Sequence, residues 1–481
     1  MRAQSTYAEE AHARTVWRVD ALVLGVVAIV LRLPALLASR SLVFDDGVFA
    51  SSAFAMRDGE APFREVFSSQ GPLFLPLVWV GDLVGFRTIN APRLLAVAAG
   101  VLVTVATYSC ARRITTRANA LLAAGLLTTS GSILWVTGPI NADGPALALS
   151  VLAVALALRY RADPSGTCAV AVGLTAGAAV SIKALSVPAV AIAGLVVLLS
   201  HRRVLHAVAA ALTGVAVYVV AAVPWGIDRV WEQSFRYHDE AIRQESAAGA
   251  VGKILSTLLD RDLPVLVALA LALVVLVLTR AEGTGLKLPG APPVATVTVA
   301  GLALWALLVL ALLVYEPALW RAHVAHLIPP LVLLAALRPP PWRMLLVAAV
   351  VVVPVWAVQN QDILWPEAYS GPDAALVTRL ESLPEDALVI SDEPGLVWRA
   401  GRRPPGALAD PSFQRIDRGD ITAAALTRAA ASTRVCGVVV TSANHFGRFA
   451  GLGERLAAEG YLLERFGDRI TLYARPGCDP S

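Results

Sequence analysis

The chain has 481 residues, 57% of them hydrophobic and only 16% charged, with a formal net charge of +4 and four cysteines. A soluble globular domain is nearer half apolar and a quarter charged, so the composition excludes a soluble enzyme and points to a polytopic membrane protein. The arginines sit in short clusters between apolar runs, where membrane orientation accounts for them, so no nucleic-acid partner is expected. Cys110, Cys168, Cys436 and Cys478 have no CxxC or metal-ligand spacing.

The first apolar run, 20–38, follows Arg14 and Arg18 and lacks a small-residue cleavage motif before Arg32 and Pro34. It reads as a retained span rather than a signal peptide. Basic clusters mark cytoplasmic loops, which makes 1–19 a cytoplasmic N-terminus and 39–90 a first outer loop opening on F-D-D-G-V-F-A, residues 44–50. Arg112, Arg113 and Arg117 mark the next inner loop, between runs at 91–110 and 119–137, and N-A-D-G-P at 141–145 is then outside again. Further crossings follow at 142–159, 168–182, 184–200, 204–224, 262–279, 293–314, 324–337 and 343–358, eleven in all, with a polar outer loop running from Trp225 to about 260. The run 71–86 is long enough to be a span, but it holds Pro72, Pro76, Gly81 and Asp82, and counting it would put the two acidic motifs on opposite faces. It reads as a re-entrant or juxtamembrane helix.

The membrane domain therefore covers 20–360. Over 361–481 the apolar runs shorten to strand length at 387–391, 436–441 and 469–474, alternating with helical patterns at 373–382, 421–432 and 448–459. That alternation predicts a small α/β domain, outside the membrane by the same count. It has no G-x-G-x-x-G after its first strand, so no dinucleotide site is expected.

This threading gathers Asp45, Asp46, Arg64, Glu65, Asp143, Lys183, His238, Glu316, Arg321, His323 and His326 on the outer face. Lys183 stands out, because S-I-K-A interrupts apolar sequence on both sides, and an ammonium at lipid depth costs about 3 kcal/mol unless paired or hydrated. An anion should meet it; on the same ground an apolar replacement such as methionine should ease insertion. Simpler roles exist for each group. Lys183 could snorkel from a tight hairpin, Asp45, Asp46 and Asp143 could cap helices, and the histidines could be interfacial polar groups.

The order of features resembles the GT-C glycosyltransferases that use polyprenyl-phosphate sugars, especially the branch of protein O-mannosyltransferases and aminoarabinose transferases. The features are Asp45-Asp46 after the first span, G-E-A-P-F at 59–63, Q-G-P-L at 70–73, a second acidic turn, an outer lysine, an outer P-W and R-x-H-x-x-H-L-I-P-P-L. The resemblance covers roughly 20–340. It implies a mainly α, GT-C-type bundle of about eleven spans. It also implies an inverting transfer from a polyprenyl-phosphate-linked sugar to an envelope acceptor.

By the resemblance Asp45 matches the catalytic aspartate, and Asp46 stands where the family usually has glutamate, which leaves open which is the base. Asp143 and Lys183 match an acidic turn and a lysine near the lipid phosphate. Arg64, His238, Arg321 and His323 are further candidates for substrate binding. Metal use varies in this superfamily, and Asp45, Asp46 and Asp143 could ligate Mg²⁺ or Mn²⁺ through oxygen. The chemistry suits the residue types: the acceptor hydroxyl needs a base, and the departing phosphate needs a cation. A transporter or lipid flippase is the rival reading, and a non-catalytic scaffold a weaker one. No matching halves with paired broken helices are visible, and a single outer cavity holding Asp45 and Lys183 would favour the enzyme.

Overall fold

The structure, a computed structural model, describes residues 2–200, 203–240, 246–281 and 296–478. The basic turn at 201–202, part of the outer loop at 241–245 and the start of the predicted 293–314 run fall outside the described residues. Each of the eleven predicted runs is helical where described. Five of these helices are long and apolar enough to cross a membrane outright: 91–114, 143–162, 204–225, 298–315 and 342–359. Among the described residues a bent pair, Arg117–Thr129 followed by Gly131–Thr137 at 60°, is long and apolar enough for a sixth when taken as one span. The break has a cause. Ser130 caps the second piece by accepting from Ile133, and the buried Asp262 carboxylate receives the Ser130 and Ser132 hydroxyls. The remaining runs form the first helix, Arg2–Val30, and shorter apolar helices.

Small residues set the closest helix contacts. A Cβ at Gly173 or Gly177 would fall on the backbone of Ala210 or Gly214, so the helices Gly166–Ile182 and Val204–Ala222 pack backbone to backbone.

Two polar clusters test the threading. At one end of the bundle Asp20 accepts from Arg117 at 2.7 and 2.8 Å and from the Tyr108 hydroxyl. At the other end Asp45, Asp143, Lys183 and His323 line one cavity. Residues 20 and 117 thus share a side, and an even number of crossings separates them. The segment 71–86 is not one of those crossings. Its helix, Phe74–Val84, has 11 residues, a rise of about 16 Å against roughly 30 Å of hydrocarbon. It packs instead against the helix Phe44–Arg57, pinned by Asp82 to Arg57, with Val80, Val84 and Phe86 exposed.

The C-terminal region folds as expected into a small sheet with helices, in the order β1-β2-β4-β3. Strands β1 (Leu388–Ser391) and β2 (Val435–Val440) pair in parallel, and β4 (Ile470–Ala474) runs antiparallel to β2. One strand escapes the sequence reading. β3 (Leu462–Phe466) is an exposed edge strand, and its Glu464 and Arg465 hide the apolar alternation. Cys436 and Cys478 form a disulfide, whereas Cys110 and Cys168 are free. The sheet domain is clamped to the first outer loop. Trp398 donates to the Ile89 carbonyl, Arg399 to the carbonyls of Ser39 and Ala38, and a Cβ at Gly47 would fall on the backbone nitrogen of Gly395.

Candidate active site

A cavity of about 1100 Å³ opens between one end of the spans and the sheet domain. The two adjacent carboxylates of F-D-D-G part company there. Both lie in the first turn of the helix Phe44–Arg57, whose N-cap is Val43, so neither is the cap. Asp45 faces the cavity and accepts from Asn141 Nδ2 at 3.3 Å. Burial pushes its carboxyl up to about 6; Lys183 and His323 pull it down, and the charges of Asp410 and Asp143 push it up.

Asp46 turns inward. It is fully buried against an equally buried Arg93, whose Nε lies 3.2 Å from both carboxylate oxygens, and it accepts the backbone N–H groups of Leu42 and Ile140. Arg93 also donates to the carbonyls of Ala35, Ala38 and Arg40 and sits over the Trp398 ring. Asp46 is therefore placed to fix the entry of the helix and not to meet a substrate. Breaking a buried pair strands a charge at about 3–5 kcal/mol, so Arg93→Met should lower the unfolding midpoint of the detergent-solubilised protein sharply. The double variant Asp46→Leu/Arg93→Met should be less damaged, and equal damage in both would take the pair out of the fold's support.

The second acidic turn builds the opposite wall. Asp143 begins the helix Asp143–Ala162, and its N–H is taken by Asn141 Oδ1, which leaves its carboxylate free to point sideways. Lys183 Nζ donates to it at 2.8 Å and to His323 Nε2 at 3.0 Å, and His323 Nδ1 lies 2.8 Å from Glu316. His326 Nε2 reaches the other Asp143 oxygen at 3.3 Å. The R-x-H-x-x-H spacing works because residues 321–327 form a 3₁₀ helix, in which residues three apart eclipse on one face. The anion expected beside Lys183 is thus Asp143. An ammonium has three N–H donors; two are taken by these partners, and the side chain keeps 14% exposure in the cavity wall.

The motif Q-G-P-L serves this lysine. Gly71 N–H and Leu73 N–H donate to the carbonyls of Ile182 and Ser181, and a Cβ at Gly71 would fall on the Ser181 carbonyl. Only glycine lets the first loop lie so close to the Lys183 turn. A single π turn, Glu232–Arg236, then sets Arg236, Tyr237 and His238 along the cavity. His238 Nε2 lies 2.8 Å from the Ser69 carbonyl, and burial lowers the imidazole's proton affinity.

Among the sequence candidates, then, Asp45, Asp143, Lys183, His238, Arg321 and His323 line one cavity. Arg321 sits at its exposed edge, paired with Asp260 at 3.0 Å. Arg64 stands apart, exposed and 3.4 Å from the Pro224 carbonyl. The three carboxylates suggested for a metal do not converge. Asp46 is committed to Arg93 on the far side of the helix, and among the described residues no group of three or more His, Cys, Asp or Glu is arranged to hold an ion. Sequence reasoning missed Asn141, which bridges Asp45 and Asp143. It also missed Asp410, Phe413 and His445, which reach the cavity from the sheet domain. Arg93 could have been found, because an arginine opening an apolar run at the outer face breaks the inside bias of basic residues and calls for an anion.

Residues 69–227 match the family described as dolichyl-phosphate-mannose-protein mannosyltransferase. That stretch holds Q-G-P-L, Asp143 and Lys183 but begins after Asp45. No curated protein matches in sequence. Among solved structures, ArnT from Cupriavidus metallidurans in the apo state superposes with a TM-score of 0.63 at 17% identity, covering 96% of this chain and 98% of that one. The same protein bound to undecaprenyl phosphate gives 0.61 at 16% identity, covering 97% and 99%. AglB, an archaeal oligosaccharyltransferase from Archaeoglobus fulgidus solved with an inhibitory peptide and a dolichol-phosphate, gives 0.53 at 11% identity, covering 89% and 69%. Over residues 69–227 the chain is similar in sequence to that mannosyltransferase family, and over nearly its whole length it has the fold of ArnT.

Proposed function

We propose that this chain transfers a sugar from a polyprenyl-phosphate donor to an acceptor hydroxyl at the outer face of the membrane, with inversion. The observation that carries the reading is Asp45, a carboxylate held in one cavity with a buried cation network. In this reading the acceptor's O–H donates to Asp45, which takes the proton as the oxygen attacks the anomeric carbon and the C–O bond to phosphate breaks. Lys183 offers its remaining N–H to the departing phosphate, whose charge grows as the sugar leaves. His323 and Glu316 hold the lysine from behind. A single displacement needs one carboxylate beside the reacting carbon, whereas retention would need a second as nucleophile. The lipid-bound states of ArnT and AglB support the donor class. Asp45 and Lys183 also share one cavity at one end of the bundle rather than lining a path across it, which favours transfer over transport.

The direct test is incubation of purified protein with hexosyl and pentosyl undecaprenyl phosphates, reading release of free undecaprenyl phosphate. Release by none of these donors, from well-folded protein, would remove the proposal. Within that assay the rate should rise with pH through about 6, because the base works ionised and its carboxyl is pushed up to about 6. Asp410→Asn removes a neighbouring negative charge, so Asp45 should hold its proton less tightly and the rising limb should move to lower pH. A limb that stays in place would separate the titration from Asp45.

The orientation belongs to the same reading. Positive clusters put residues near 115 and 340 inside, and the disulfide fits an oxidising compartment for the sheet domain, with Cys110 and Cys168 free toward the other side. Cysteine-accessibility labelling should find positions near 45 and 440 from outside and positions near 115 from inside; outer labelling near 115 would invert the scheme.

A further inference from the structure

The two acidic motifs are joined by more than a shared cavity. Asp45 and Asp46 each take one N–H group from the same turn: Asp46 accepts the backbone N–H of Ile140 at 2.9 Å, and Asp45 accepts Asn141 Nδ2 at 3.3 Å. Arg93 holds Asp46 from behind, so the turn that carries Asn141 is tied to the buried pair. Asn141 is itself buried, and its amide sits one way round. A backbone N–H can only donate, so the amide atom 2.7 Å from the Asp143 nitrogen is Oδ1, and the amide hydrogens face Asp45. That orientation divides the two oxygens of Asp45. Oδ2 receives the amide, whereas Oδ1 has no hydrogen-bond partner among the described residues and is not sealed from the cavity.

We infer that Asn141 is a positioning residue for the transfer: its amide fixes the rotation of the Asp45 carboxylate and leaves Oδ1 as the oxygen that takes the acceptor's proton. This rests on the reading of Asp45 as the base, and adds which oxygen works and what holds it. The last torsion of an aspartate side chain is broad, and a base must stand within hydrogen-bond reach of its proton. No other hydrogen bond among the described residues restrains this carboxylate. The amide supplies the restraint. A plainer role exists for Asn141, because the bond from its Oδ1 to the Asp143 N–H is the local turn by which asparagine starts a helix. That role needs the oxygen alone, whereas positioning Asp45 needs the nitrogen.

Asn141→Ser separates the two roles in the full chain. A serine hydroxyl still accepts the N–H two residues on, but it ends one bond short of the amide nitrogen. With undecaprenyl-phosphate sugars as donor, this variant should lose about tenfold or more in kcat, the scale of one hydrogen bond to a charged group, while the donor KM stays within about twofold. In the Asp45→Asn background the same change should cost less than about twofold, since residues that act through one another are not additive. An amide donor favours the ionised carboxylate, so the rising limb of the pH profile should move to higher pH, opposite to Asp410→Asn. The other charged groups around Asp45 stay in place: Lys183, Asp143 and His323 in the cavity walls, and Asp410 in the roof made by the sheet domain. Asn141→Asp keeps the acceptor oxygen and the side-chain shape, and covers the case in which the serine variant fails to fold; its like charge should move the limb up farther. Equal losses in both Asp45 backgrounds, an unmoved limb, or wild-type kcat in Asn141→Ser would each overturn the assignment. No release of undecaprenyl phosphate by the wild type, or wild-type turnover in Asp45→Asn, would instead remove the reading beneath it, which keeps the two failures apart.

Discussion

Replacing Asp45 by asparagine is expected to cut sugar transfer by at least about 10²-fold, the usual contribution of a general base, in a protein that still inserts and purifies normally. The expectation follows from how the side chain is held. Among the described residues its carboxylate is in no ion pair and accepts from Asn141, so an isosteric amide leaves the fold intact. The residual rate should lose the rising limb near pH 6. Asp46→Asn should behave differently: its carboxylate answers Arg93 and two backbone N–H groups, so the loss appears first as a lower unfolding midpoint. Adjacent residues with opposite signatures, one kinetic and one thermodynamic, would assign the pair. Turnover near the wild-type rate in Asp45→Asn would take the carboxylate out of the chemistry.

The second large effect is expected at Lys183, and here the structure reverses a sequence-based expectation. Considered alone, Lys183→Met eases insertion by removing a charge from lipid depth. In the structure the lysine answers Asp143, whose side chain is 1% exposed, so methionine strands a buried carboxylate and should destabilise the protein by about 3–5 kcal/mol. The informative variant is therefore Asp143→Asn/Lys183→Met, which removes both charges and should recover most of the stability. Its transfer rate should stay down by about 10²- to 10³-fold, the range for losing one preorganised group that stabilises developing charge. Lys183→Arg should keep part of the activity, since charge survives but a planar fork replaces a point cation. A well-folded double variant that transfers sugar at the wild-type rate would reduce the lysine to a structural partner of Asp143.

The membrane domain was legible because its signal is long and one-dimensional. Runs of about twenty apolar residues and clusters of arginine obey two strong physical rules, and every run named from them is helical where described. The gathering of Asp45, Asp143, Lys183 and His323 around one cavity followed from the same threading. The division of labour between Asp45 and Asp46 did not, because it depends on a half-turn of helix and on Arg93, which approaches from another element. The roof residues Asp410 and His445 were illegible for a related reason. They lie in polar loops that no periodicity constrains, and only the packing of the sheet domain on the first outer loop brings them over the cavity. β3 was lost because an edge strand wet on both faces has no apolar alternation to read.

The near-contact of Gly47 with Gly395 has a consequence for the order in which the protein matures. The helix bearing Asp45 is made well before the segment that closes over it. Until that segment docks, Asp45 stands open to water, where a carboxyl has its ordinary acidity. A half-synthesised chain therefore has its early spans but an open cavity. Two glycines that allow backbone to touch backbone thus make the burial of Asp45, and with it the proton affinity of its carboxyl, wait on the docking of the sheet domain.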